Sequence, residues 1–172
     1  PGADYVSYLA IFPAEVLVSI YSRYGPRLLE RNVRSFLQVR GDINKGIRST
    51  ILSEPDRFLA YNNGLTATAA EIEVERTNDG SLRLRRLVDL QIVNGGQTTA
   101  SLFRAVRKDK ADVSRIAVQV KLNRVRDPEA LDALVGHISK YANSQNKVSV
   151  SDLSANDPFN QKLEEYSRTI WA

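Results

Sequence analysis

Residues 89–103 read DLQIVNGGQTTASLF, and inside that stretch the pattern passes from strand to helix. Leu90, Ile92 and Val93 form an apolar run that ends near Val93. A helix pattern begins at about Gln97 and carries Ala100, Leu102, Phe103 and Val106. Between them stands a row of small polar residues. A strand that passes directly into a helix through a tight turn belongs to an α/β domain, and the other elements have to be arranged around it.

The flanking segments supply strands and helices in alternation. YVSYLAIF (residues 5–12) suits a buried strand, and Pro13 opens a helix with Val16, Leu17, Ile20, Tyr21 and Tyr24, stopped by Gly25-Pro26. The stretch RLLERNVRSFLQV fits no single state, and NKGIRSTILSEP reads as a short helix ended by Pro55. RFLAYNNGLTATAAEIEVE reads as strand, turn and strand, with Asn62-Asn63-Gly64 as a hairpin turn. Thr77–Ser81 is a second hairpin turn, which brings SLRLRRLVDLQIV back as one long strand with Arg83 and Arg85 on an exposed side. Ile116, Val118, Val120 and Leu122 alternate along another strand. Asp127-Pro128 caps a helix whose buried stripe is Leu131, Leu134, Val135, Ile138 and Tyr141; Asp157-Pro158 caps the last, with Phe159, Leu163, Tyr166 and Ile170. The expected architecture is α/β (α+β), a mixed sheet with flanking helices in a single domain over residues 1–172.

Composition narrows the chemistry. With no cysteine there are no disulfides and no thiolate metal sites, which fits a cytoplasmic protein. The single histidine, His137, borders the apolar stripe of its helix and reads as a boundary residue. No apolar run reaches the roughly 18 residues of a membrane helix. The net charge of +4 is compatible with a polyanionic partner without requiring one. The absence of methionine, even at the first position, leads to the expectation that the chain is cut from a longer protein.

Three polar clusters and one charged stretch remain as candidate sites. In VNGGQTT the backbone N–H groups at the helix start favour an anion, Gly95 and Gly96 permit close approach, and Gln97, Thr98 and Thr99 add donors. The turn lacks the lysine of a Walker A loop and the third glycine of the dinucleotide fingerprint. The alternative is an ordinary strand-to-helix turn. In YNNGLT the competing reading of Asn62, Asn63 and Gly64 is the hairpin turn itself. Asn143, Gln145 and Asn146 end one helix, and Asn156 with Asp157 starts another. Amides donate and accept, so they suit base edges, sugars and phosphates, but they cannot perform general acid–base work. Glu30, Asn32 and Arg34 lie in a charged stretch where an arginine on phosphate competes with a solvated face. The carboxylates are scattered and mark no metal site, although Mg²⁺ bound through a phosphate ligand stays open.

In order along the chain, YGPRLLERNVRSFL, NKGIRSTI, FLAYNNGLT, LQIVNGGQTTASL and KYANSQNKVSVSDLSANDPFNQKLE resemble the AIPR family, the abortive infection phage resistance proteins of bacteria. The resemblance covers nearly the whole chain. It implies a role in phage defence with no reaction attached, and it implies further domains in a longer protein. It also implies that Glu30, Asn32, Arg34, Asn62, Asn63, Gly64, Asn94, Gly95, Gly96, Gln97, Thr98, Asn143, Gln145, Asn146, Asn156 and Asp157 share one polar pocket. The strand–NGGQT–helix element is similar as well to the DGQHR-type turn of ParB/sulfiredoxin-like domains, some of which bind nucleotides. Asn94 replaces the Asp there and Thr98-Thr99 the His-Arg pair, a departure that puts the catalytic chemistry of such domains in doubt here and leaves phosphate binding possible.

Three functions stay open at this point. The chain is a module that binds a nucleotide or nucleic acid. Alternatively, it is an enzyme on phosphate esters or nucleic acid using Glu30, Asp89 or Asp157. As a third possibility, it is a structural or oligomerisation module with buried amide networks.

Overall fold

Prolines and glycines punctuate the chain where its elements change. The computed structural model describes residues 5–30 and 45–143, with Lys162. Strand β1 (Tyr5–Pro13) ends on a proline and helix α1 (Ala14–Tyr24) starts at the next residue. Gly25 stops the helix, and a 3-10 turn, Gly25–Leu29, follows with Pro26 in its first turn. Helix α2 (Lys45–Ser53) precedes a second 3-10 turn, Pro55–Arg57, and the short helix α3 (Phe58–Tyr61). Four strands come next: β2 (Leu65–Ala69), β3 (Glu71–Arg76), β4 (Leu82–Val88) and β5 (Gln91–Asn94). Helix α4 (Gly96–Arg104) continues as a π-helical turn, Ala105–Asp109, and β6 (Ala117–Val125) and α5 (Pro128–Asn143) complete the described elements. The chain divides into two compact units, Pro1–Ala142 and Asn143–Ala172, and these elements lie in the first up to the final residue of α5.

The architecture is the mixed α/β sheet with helices that the alternating patterns predict. Strand order is β1-β6-β2-β5, antiparallel at β1–β6 and β2–β5 and parallel at β6–β2. A parallel pair needs a long crossover. Here the crossover holds the separate β3–β4 hairpin, then β5, then α4. Strand β2 lies inside the sheet, and four of its five residues are buried: Leu65, Ala67, Thr68 and Ala69. Strand β6 buries Val118, Val120 and Leu122, as its alternation requires. Helix α4 packs against both α1 and α2, with the Tyr21 and Phe103 rings 5.2 Å apart. Burial of one such aliphatic side chain stabilises by about 1.5–3 kcal/mol, whereas an exposed ion pair contributes about 0–1 kcal/mol. The three inward residues of β6 therefore outweigh the charge pairs on the surface.

Several expectations are corrected. RFLAY is not a strand: Pro55 initiates a 3-10 turn and the chain stays helical through Tyr61, burying Phe58 alone while Leu59 and Tyr61 are exposed. Asn62-Asn63-Gly64 therefore joins a helix to a strand and is not a hairpin turn. The long strand from residue 82 breaks at Asp89, whose φ of 50° turns the backbone before β5 begins. Strand β1 is not buried. It is the sheet's edge, with Leu9 73% and Ile11 57% exposed and only Phe12 fully inside. In α1 the buried stripe narrows to Ala14, Leu17 and Tyr21, and in α5 Tyr141 is exposed.

A bulge between Glu73 and Val74 leaves Arg85 as the extra residue on β4, because Arg86 faces Glu73 and Leu84 faces Val74. Both Arg85 and Arg86 therefore point outward, where they pair with Glu75 at 3.4 Å and Glu73 at 3.1 Å.

A fork of two hydrogen bonds ties α2 to the end of the π-helical turn. Arg48 donates from Nε to Asp109 Oδ2 at 2.9 Å and from Nη2 to Oδ1 at 2.7 Å. The hydrogen bond from Arg48 holds the Asp109 carboxyl below its usual range. A carboxyl whose folded pKa is depressed stabilises the fold above its unfolded value, about 3.9, and loses that contribution as pH falls through the folded value. Arg48→Met should lower the melting temperature near neutral pH, and its gap from wild type should close as pH falls below about 3.9. Thermal melts of both proteins across that range check this; a gap that does not change with pH would assign the loss to Arg48's packing instead.

Candidate functional site

Both glycine-containing turns are built by asparagine side chains that fold back on the backbone. At the end of β5, the Asn94 side-chain oxygen accepts the Gly95 N–H at 2.8 Å. Gly95 then takes the left-handed conformation, φ 83° and ψ 15°, and Gly96 starts α4. The Thr98 N–H donates to the Gly95 carbonyl at 2.9 Å. At the end of α3, Asn62 is extended and its Oδ1 accepts the Gly64 N–H at 3.0 Å. Such short-range bonds are what asparagine offers a turn.

The fold brings these two turns together. Thr98 Oγ1 donates to Asn62 Oδ1 at 3.3 Å, a bond between residues 36 apart in sequence. The pairing of Thr66 with Asn94 across β2 and β5 sets this approach, with a bulge directly after Thr66. The backbones come very close. A Cβ on Gly95 would stand 2.7 Å from the Gly64 carbonyl oxygen and 2.7 Å from Leu65 Cδ2. A Cβ on Gly64, itself at φ 73°, would stand 2.3 Å from the Gln119 carbonyl oxygen on β6. The turns therefore hold glycine because backbone meets backbone there.

The junction has a closed interior and an open rim. Gly96, Thr98 and Thr99 are buried, Asn62, Gly64, Asn94 and Gly95 are partly buried, and Asn63 and Gln97 are exposed. The Gly95 N–H, one of those expected to face an anion, is bonded to Asn94. Thr99 Oγ1 is buried without a hydrogen-bond partner. None of the side chains from Asn62 to Gly64 or from Asn94 to Thr99 titrates near neutral pH. The junction can therefore recognise by donating and accepting hydrogen bonds, but it supplies no proton.

The other sequence-derived candidates divide by position. Glu30 is exposed and directly follows the 3-10 turn that packs against β5 through the buried segment of Leu28 and Leu29. Asp89 lies at the β4–β5 turn, the end of β5 away from Asn94. Asn143 is the last residue of α5. Asn32, Arg34, Gln145, Asn146, Asn156 and Asp157 lie outside the described residues. His137 is exposed, its ring 6.0 Å from that of Tyr141. Among the described residues, no three His, Asp or Glu side chains gather as a metal site would require. No described helix is long and apolar enough to cross a membrane.

Sequence reasoning missed one buried polar bridge. Asn123 is 3% exposed, accepts a hydrogen bond from Ser7 Oγ, and donates Nδ2 to the Ala67 carbonyl at 3.3 Å. It links β1, β6 and β2. By alternation Asn123 falls on the same face as Gln119 and Lys121, and so it looks solvated.

The family model described as AIPR protein matches residues 29–172. No curated protein and no solved structure matches the chain. The matched span contains both turns, β2, β5 and β6.

The glycine geometry can be tested by comparison. Gly80 also has positive φ, 85°, but a Cβ there meets nothing within 4 Å. Gly80→Ala should cost about 1–2 kcal/mol, the backbone strain alone. Gly64→Ala and Gly95→Ala add a clash with fixed backbone and should cost on the order of 3 kcal/mol or more. Denaturant melts of the three variants give the ranking, and equal losses would show that the turns can separate freely.

Proposed function

The chain belongs to the AIPR protein family, and on that premise we propose that it is the ligand-binding module of a bacterial abortive infection protein. The family carries the coarse role, defence against phage. The finer reading is that the module holds a nucleotide or a nucleic-acid segment on the rim of the Asn62–Thr98 junction. One observation carries it: Asn63 and Gln97 present exposed amides beside the N-terminus of α4, on turns already locked to each other by the Asn62–Thr98 bond. A helix N-terminus favours phosphate, amides pair with base edges and sugars, and a rigid support lowers the entropy cost of binding.

The interior of the same junction favours the structural reading for its own residues. Asn62, Asn94, Gly95 and Thr98 spend hydrogen bonds on each other. These residues hold the support, and Asn63 and Gln97 take the ligand. An enzyme would need a titrating group at the rim, from Glu30, Asp89 or Asp157, and Asp89 stands at the far end of β5. In this reading the ligand-bound state is passed to the remaining domains of the full-length protein in the cytoplasm, where phage replication takes place.

A thermal-shift screen with nucleoside mono-, di- and triphosphates, with and without Mg²⁺, and with short DNA and RNA tests this. A ligand at about 100 times its Kd should stabilise by roughly 2.7 kcal/mol. Gln97→Ala should stay folded, with a cooperative melt of its own, and lose the shift. No shift with any of these ligands would leave the junction as architecture.

A further inference from the structure

Two open strand edges face one another across a cleft of about 1110 Å³. Residues 7–13 of β1 form one wall and residues 81–87, on β4 and the turn before it, form the other. Consecutive residues from both faces of each strand line it, so the cleft runs along the strand edges, not over a sheet face. β1 has β6 as its sole strand partner among the described residues, and β4 has β3. Val16 and Ile20 of α1 and Val74 of β3 also line it.

β1 carries none of the usual protection of an edge strand. From Tyr5 to Phe12 it holds no charged residue and no proline, and its register with β6 runs without a bulge. Leu9 and Ile11 are 73% and 57% exposed. A long, apolar, regular edge of this kind pairs with another strand when one is offered.

The length of the β1 wall sets what fits: residues 7–13 line the cleft, so an extended segment of about seven residues would run along it. A second copy pairing through its own β1 would bring no carboxylate into the cleft, because that strand holds no charged residue from Tyr5 to Phe12.

The walls also set the charge. Arg85 and Arg86 are paired to glutamates of β3, while Arg83 is exposed and pairs with no carboxylate among the described residues. Asp79, the one carboxylate lining the cleft among the described residues, is held by Thr77 and by the Ser81 N–H. We infer that the cleft between β1 and β4 receives an extended segment of a partner protein, about seven residues long, alternating apolar and acidic side chains. Its backbone joins both edges, and an acidic residue meets Arg83. This surface is independent of the nucleotide reading of the Asn62–Thr98 junction.

The probe is an acetylated, amidated heptapeptide alternating valine with threonine and glutamate, beside a version with lysine for glutamate. Fluorescence anisotropy with the 172-residue chain should show the acidic peptide binding more tightly. Arg83→Glu should reverse the preference by about tenfold, the ratio that 1.4 kcal/mol gives. Leu9→Lys, at an exposed position, should melt like wild type and bind neither peptide. Hydrogen exchange should slow along residues 7–13 and 81–87 only with the bound peptide. Absence of binding and of protection overturns the inference, and equal binding of both peptides overturns its acidic chemistry. Self-association of the chain that Leu9→Lys abolishes would make a second copy the occupant, and would overturn the partner.

Discussion

A methyl group at position 64 has nowhere to go. It would lie 2.3 Å from a backbone oxygen of β6, and a strand in a parallel pair cannot yield without breaking its ladder. Much of the first unit depends on that close approach. It lets β2 enter beside β6 directly from a helix end, with no longer loop to clear the neighbouring backbone. Gly95 can then seat on Gly64, so β5 and α4 are located by the same contact. Three segments distant in sequence meet at one point, and two of them contribute a glycine there.

This arrangement explains why the turns are rich in asparagine and threonine as well as glycine. Glycine permits the contact but leaves backbone donors facing inward, and an unpaired buried donor is costly. Asn62 and Asn94 cap the donors of Gly64 and Gly95 locally, and Thr98 joins one turn to the other. The six small polar residues in a row thus divide between two tasks. Asn94 satisfies a backbone donor and Thr98 ties one turn to the other, while Gln97 lies on the exposed rim.

Local patterns revealed the elements governed by local physics. The alternation through Leu122, the turn at Thr77–Ser81 and the stop at Gly25 are each decided within a few residues, and the structure agrees. RFLAY failed because alternation over five residues cannot be told from a single helical turn, and Pro55 upstream settled the matter. β1 looked buried because its residues are apolar, yet its place at the sheet edge depends on strand order, which no local window contains. In the junction, Asn62 and Thr98 each stood out by residue type. Their meeting did not, because it depends on the register of β2 against β5 and on the bulge after Thr66. Asn123 was hidden for the same reason: alternation assigned it a face but could not tell that this face is closed at that position.

The β1–β6 pairing also has a history in time. Ser7 and Asn123, joined in the finished sheet, are 116 residues apart. At ribosomal rates of about 5–20 residues per second, β1 waits roughly 6–23 s for its partner to be synthesised. Throughout that interval it is an uncharged, strand-forming segment with both edges unpaired. Its sequence is suited to the sheet and poorly suited to the wait.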